Sequence, residues 1–287
     1  MSWLARLPPS VTVDRVGVAA AIAGCVGLVA EAQRQGKAPM NGSLPAKDGT
    51  AAGRVFTSKQ CRQLEQDGYI VLDNFLSKQQ VQEARNAIQT LDDNYQFRSS
   101  PYETFDGKAA SSRTRDRVII NRSGNLDMVR MQISAFARSL VDSDFKGFPR
   151  DDYDSTSLHV PSQMQVSICG GLETPNPDEE ESTHNFYHKH VDSAGAHNFF
   201  ELGVIGWIRS QHLRQRYLTC LVYLNTDWKE GDGGCLRVFP NGESEDSYVD
   251  IAPLGGRMVV LSSPSLFHGV LPTNAQRYAC AAWLALA

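Results

Sequence analysis

Hydrophobic and polar positions alternate with two different periods along this chain. In the first half the period is helical. Val81, Ala84, Ile88 and Leu91 recur at helical spacing behind Ser77, a residue type that caps helix N-termini. Leu126, Val129, Ile133, Phe136 and Leu140 mark a second amphipathic helix. A shorter helix opens at Thr57 or Ser58 and stops at Gly68, followed by a strand over YIVLDNFL. A polar loop over Asp92–Ser112 and a short strand at Val118–Ile120 separate the two longer helices. From Ser162 the texture changes to short strand-like runs: SQMQVSIC, NFYHKHVD, RYLTCLVYLN, GCLRVF, SYVDI, RMVVLSS, HGVLP and RYACAAWLAL. Gly-, Asn- and Pro-containing turns stand between most of them, as in an antiparallel sandwich or jelly roll. Helices first and antiparallel strands afterwards give an α+β fold.

The N-terminal stretch follows neither pattern. Arg6 and Arg15 flank the start of an apolar, Ala- and Gly-rich run, Val16–Ala30, and Ala30-Glu31-Ala32 offers a cleavage site of the A-x-A kind. The run is short for a membrane span, which needs about 20 residues. Residues 1–32 are therefore expected to be a targeting or anchor segment, against a packed N-terminal helix as the bland alternative. The secretory pathway with the ER, or another organelle, is the implied compartment, and the cytoplasm is the alternative. Residues 33–53 are polar and rich in Gly, Pro and Ala, as in a linker. The folded domain is expected over 54–287, with the jelly-roll core over about 162–287.

With 287 residues and 41% hydrophobic content the chain can bury a sizeable core. A net charge of -4 with scattered Lys and Arg gives no case for a nucleic-acid partner. The six cysteines form no CxxC pair, so a thiolate zinc site is not expected.

The candidate chemistry begins in FYHKHVDSAG, where His188, His190 and Asp192 share one face if the run is a strand. His190-Val191-Asp192 alone is a common pattern, and a surface-facing polar strand would produce it too. His268 is the best third ligand, because it follows a strand and a turn and opens HGVLP. Two histidines and a carboxylate form the facial triad of non-haem Fe(II) oxygenases, but zinc hydrolases use the same ligand types. Arg277 decides between them. A guanidinium in the apolar strand RYACAAW needs a carboxylate partner, and a dicarboxylate chelated to the metal supplies one, held in two-point fashion. An internal salt bridge is the plain alternative.

These residues and the segments around them resemble the prolyl 4-hydroxylase branch of the Fe(II)/2-oxoglutarate dioxygenases, nearest the hypoxia-sensing prolyl hydroxylases. RYLTCLVYLNTDWKEGDGGCLRVFP (Arg216–Pro240), HGVLPTNAQRYACAAW (His268–Trp283) and DGYIVLDNFL carry the likeness. The resemblance implies a double-stranded β-helix with supporting N-terminal helices. It implies His190, Asp192 and His268 as iron ligands, and Arg277 on the distal carboxylate of 2-oxoglutarate. Tyr223 would also contact the co-substrate, and Leu221, Leu236 and Trp283 would line the same pocket. Fe(II), 2-oxoglutarate and O2 are the implied cofactor and co-substrates, with L-ascorbate keeping the iron reduced. The implied reaction is hydroxylation of a C–H bond, with a prolyl residue of a peptide or protein as the favoured substrate. A free amino acid or another small molecule is the alternative within the class. A non-catalytic binding module on the same barrel is the alternative outside it.

The chain departs from the family pattern at Cys169 and Ala281, where a Tyr and a Thr are expected. It also carries insertions at 172–185 and 196–215. The second is apolar and is read as a lid or substrate groove, or equally as a helix packed outside the barrel or a subunit contact. His188 is expected beside the site rather than in it, and His184 in the first insertion.

Overall fold

The structure, a computed structural model, describes residues 56–94, 97–99, 114–120, 125–148, 158–159, 163–170, 187–193, 216–242 and 247–286. The targeting and linker segments, both insertions and the His188 side chain lie outside the described residues.

The described residues form three α-helices, a 3-10 turn at Glu230–Asp232 and twelve strands. Helix α1 (Ser58–Asp67) is capped by Thr57, and the capping residue settled by the structure is thus Thr57 rather than Ser58. Its hydroxyl accepts from Gln60 N while Gln60 Oε1 accepts from Thr57 N. Gly68 closes the helix at φ 73°, a left-handed conformation that costs glycine little. Strand β1 (Tyr69–Leu72) follows. It is shorter than the YIVLDNFL run, because the chain turns at Asp73 and Asn74, the latter at φ 54°. Helix α2 (Lys78–Asp93) carries the same reciprocal cap through Ser77 and Gln80. Two strands, β2 (Arg98–Ser99) and β3 (Thr114–Ile120), precede helix α3 (Asn125–Val141). β2 interrupts the expected polar loop, and β3 is longer than the Val118–Ile120 run because it pairs along its length with β5.

The remaining strands are β4 (Leu158–His159), β5 (Gln163–Cys169), β6 (Tyr187–His190), β7 (Arg216–Tyr223), β8 (Leu236–Phe239), β9 (Val249–Ile251), β10 (Met258–Ser262), β11 (Phe267–Val270) and β12 (Arg277–Leu286). They form two sheets with antiparallel pairing. The larger runs β1-β10-β7-β12-β5-β3-β2, with β4 also on β12, and the smaller runs β6-β11-β8-β9. This is the α+β double-stranded β-helix with supporting helices.

The central strands β7 and β10 and the first half of β12 are buried on both faces, which is why they read as near-continuous apolar runs. Leu218, Cys220 and Val222 of β7, Met258 and Val260 of β10, and Tyr278, Cys280 and Ala282 of β12 pack with Leu64, Val81, Ile88, Ile133 and Leu140 of the helices. The alternate residues point the other way. Tyr223, Val259, Leu261 and Ala279 meet Leu236, Val238 and Val270 of the smaller sheet in a second cluster between the sheets. Polar side chains brought to this inner space face apolar walls, so each needs a specific partner.

Candidate metal and co-substrate site

Strand pairing brings the two histidines together. His190 of β6 and His268 of β11 are direct cross-strand partners. Their ring centroids lie 4.5 Å apart. His268 shares the inward face of β11 with Val270, and its Nδ1 lies 3.0 Å from Leu266 O. That hydrogen bond puts the proton on Nδ1 and leaves Nε2 with its lone pair turned to the site.

Asp192 arrives by another route. The strand ends at His190, and Asp192 lies in the bend beyond it. Strand alternation over NFYHKHVD therefore does not place this carboxylate, contrary to the sequence expectation. It is held by the larger sheet instead. Thr219 Oγ1 of β7 donates to Asp192 Oδ2 at 2.6 Å. Ser193 N donates to Ser263 O at 2.9 Å, pinning the bend to the end of β10. Asp192 Oδ1 then lies 3.5 Å from His190 Nε2, and Oδ2 3.6 Å from His268 Nε2. One ligand-type atom from each of the three residues lies within 4.8 Å of the others.

The electrostatics suit a cation. Burial alone would raise the Asp192 carboxyl, but His268, His190 and Thr219 together hold it well below the usual carboxylate range. The His268 imidazole is pushed down to about 4, chiefly by burial and then by His190. At neutral pH the site thus presents an anion and a neutral, buried imidazole, the forms that ligate metals.

Arg277 opens β12 on the same face as Ala279, which belongs to the inner cluster. Only 5% of it is exposed, and it forms no ion pair with a carboxylate among the described residues. Its Nε donates to Gly234 O at 2.9 Å. The guanidinium carbon lies 4.9 Å from the Tyr223 ring centre. The Tyr223 hydroxyl is fully buried and has no hydrogen-bond partner among the described residues. Burial raises this phenol, with Arg277 opposing the shift. Among the described residues the buried guanidinium has no carboxylate, and the Tyr223 hydroxyl beside it has no acceptor, so the two can both donate to a shared anionic group. That fits a carboxylate-bearing ligand, and no internal salt bridge of Arg277 is present among the described residues.

Leu221 and Leu236 pack in the same inner cluster as Tyr223. Cys169 is the direct strand partner of Arg277 and is buried. Ala281 pairs with Leu221. Trp283 lies further along the inward face of β12, opposite Thr219, with the Arg216 guanidinium 3.6 Å from its ring centre. Its position is therefore nearer the Asp192 anchor than the Arg277 end. Sequence reasoning passed over Thr219, Ser263 and Gly234. A lone Thr inside RYLTCLVY and a Ser pair ending RMVVLSS were the available signals, since a hydroxyl buried in an apolar strand needs a partner.

A double-stranded β-helix that brings together a buried His268, a partly buried His190 and Asp192, and a buried Arg on its last strand is similar to 2OG-Fe(II) oxygenase domains. Residues 180–285 match the model of the 2OG-Fe(II) oxygenase superfamily. Egl nine homolog 1 of Homo sapiens is 40% identical over 70 residues, which make up 24% of this chain and 16% of that protein. A prolyl-4-hydroxylase from Pseudomonas putida shares the fold with a TM-score of 0.56 at 18% identity, over 79% of this chain and 97% of that one. A prolyl hydroxylase from Trichoplax adhaerens, solved with a hypoxia inducible factor peptide fragment, does so with a TM-score of 0.55 at 20% identity, over 78% and 86%.

Proposed function

We propose that this protein is an Fe(II)- and 2-oxoglutarate-dependent dioxygenase that hydroxylates a C–H bond, with a prolyl residue of a peptide or protein as its substrate. One observation carries the reading. The three ligand-type side chains, and Arg277 with Tyr223, which have no carboxylate partner among the described residues, face the same space between the sheets.

In this reading His190, Asp192 and His268 hold the iron. Arg277 and Tyr223 bind the distal carboxylate of 2-oxoglutarate, the guanidinium giving charge and the phenol a further hydrogen bond. Leu221 and Leu236 wall the co-substrate off from water, which strengthens those polar contacts. Trp283 closes the space at the Asp192 end. Bound iron with 2-oxoglutarate and O2 would supply the oxidation: 2-oxoglutarate loses CO2 and takes one oxygen atom of O2 to become succinate, and the other atom goes into the substrate C–H bond. L-ascorbate serves as the reductant that keeps the iron ferrous.

The prolyl assignment draws on the family resemblance of the sequence and on the prolyl hydroxylases among the solved structures. The apolar run Val16–Ala30 supports a targeting or anchor role for 1–32, directing the domain to the secretory pathway or an organelle. Incubating the full chain with Fe(II), 2-oxoglutarate, ascorbate and a panel of proline-containing peptides tests the function. Succinate release coupled to a one-oxygen mass gain on a prolyl residue is expected. Succinate release with free amino acids alone would move the substrate to a small molecule. No consumption of 2-oxoglutarate under any condition would remove the oxygenase reading.

A further inference from the structure

Asp192 is not positioned by its own strand, which ends at His190. Its carboxylate is held by Thr219 of β7, whose hydroxyl is backed by Ser263 just beyond β10, and both are fully buried. Thr219 Oγ1 lies 2.6 Å from Asp192 Oδ2 and 2.8 Å from Ser263 Oγ. The proton order in this chain is fixed by valence. A carboxylate only accepts, so the single Thr219 proton goes to Oδ2. The Thr219 oxygen then has only lone pairs to offer, and the Ser263 hydroxyl must donate to it. The relay runs Ser263 to Thr219 to Asp192, each donor sharpening the next. Ser263 also acts through its backbone, since its carbonyl accepts from Ser193 N beside the carboxylate and its N donates to Tyr217 O on β7.

We infer that Thr219, backed by Ser263, is the positioning residue that makes Asp192 a one-oxygen metal ligand. Oδ2 is committed to the Thr219 hydroxyl. Both oxygens lie near an imidazole, Oδ1 3.5 Å from His190 Nε2 and Oδ2 3.6 Å from His268 Nε2, so it is the Thr219 donor that leaves Oδ1 to the cation. Without the relay the carboxylate, sitting in a bend rather than a strand, is free to rotate and to offer both oxygens or neither. The two-sheet architecture gives this a purpose. Both histidines belong to the smaller sheet, whereas Thr219 and Ser263 belong to the larger one or its edge. The relay thereby locks the third ligand to the wall that also carries Tyr223 and Arg277. This inference rests on the metal reading proposed above.

The test uses the full chain with Co(II) alone, and Fe(II) alone under anaerobic conditions, reading dissociation constants, the Co(II) ligand-field spectrum and thermal stability. Thr219→Val keeps the shape and removes the donor. Thr219→Ser keeps the donor. Thr219→Val is expected to weaken metal binding about 10- to 100-fold and alter the Co(II) spectrum. Thr219→Ser should bind within about threefold of the wild type with the original spectrum, on the same scale of outer-shell effects. Ser263→Ala should give a loss of about three- to tenfold, since it removes the backing donor only. A folded Thr219→Val protein with wild-type affinity and spectrum overturns the inference. If Thr219→Val does not fold, Ser263→Ala decides, and an unchanged affinity and spectrum there overturns it. Absence of Co(II) and Fe(II) binding in the wild-type chain would instead defeat the metal reading, and this inference with it.

Discussion

His190 and His268 stand directly opposite one another on the antiparallel strands β6 and β11, with ring centroids 4.5 Å apart and planes inclined by 49°. Facing cross-strand positions hold side chains within contact distance. A one-residue slip would turn one imidazole to the other face of the smaller sheet. The pairing register is thus a functional quantity here. Asp192→Ala and His268→Ala should each abolish 2-oxoglutarate turnover while leaving a folded protein, as circular dichroism and succinate assay would check. Full activity in Asp192→Ala would remove Asp192 from the ligand set.

Arg277 and Tyr223 separate co-substrate binding from metal binding. Arg277→Ala removes a charge-assisted contact worth roughly 1.5–3 kcal/mol, so the 2-oxoglutarate KM should rise about 10- to 100-fold. Metal affinity measured without co-substrate should stay the same. A parallel loss of metal affinity would show that Arg277 acts structurally.

Tyr223→Phe has effects of opposite sign on two observables. In the ligand-free protein the buried hydroxyl has no partner among the described residues. Its removal relieves an unsatisfied group that costs about 1–3 kcal/mol when buried, so Tm should hold or rise. The 2-oxoglutarate affinity should fall about tenfold. A lower Tm with unchanged co-substrate affinity would mean that the hydroxyl serves the fold.

Gly234 supports the Arg277 end by leaving room. It sits at φ +71°, and a Cβ there would lie 3.0 Å from Arg277 Cδ and 3.1 Å from Thr273 Cβ. Gly234→Ala should therefore displace the guanidinium and raise the co-substrate KM, while costing about 1–2 kcal/mol of stability for the left-handed backbone. Wild-type KM in this variant would show that Arg277 tolerates the shift.

In the metal-free protein His268 sets a pH dependence, facing His190 from β6 and Asp192 from the bend. Its value of about 4 lies below the 6.5 of an unperturbed imidazole. Between these values the unfolded chain takes up a proton that the folded chain does not, so stability falls as pH falls. At pH 5 the loss amounts to roughly 2 kcal/mol. Thermal melts of the metal-free chain should show Tm falling from pH 7 to pH 5, and His268→Gln should flatten that slope. An equal slope in His268→Gln would assign the dependence to other groups.

Much of this was legible in the residues because the two periodicities are strong. Gln60 and Gln80 complete caps that Thr57 and Ser77 announce, and the eight late runs of the chain became β5 to β12. His268 and Arg277 could be picked out because polar groups in apolar strands demand a reason. Asp192 was found by its spacing from His190 but for an incomplete cause, since the strand stops before it and a tertiary clasp takes over. Thr219 and Ser263 were passed over because a hydroxyl in a strand reads as ordinary until its partner comes from a distant segment. The position of Trp283 at the Asp192 end likewise depends on the β7–β12 register, which the one-dimensional pattern does not encode.

Succinate formation from 2-oxoglutarate by the full chain with Fe(II) and O2, run beside Asp192→Ala and Arg277→Ala, tests the central claim most directly. The account predicts Fe(II)-dependent succinate from the wild type, none from Asp192→Ala, and recovery of turnover in Arg277→Ala at raised 2-oxoglutarate. Wild-type protein that binds Fe(II) yet consumes no 2-oxoglutarate with any peptide or amino-acid substrate would contradict it.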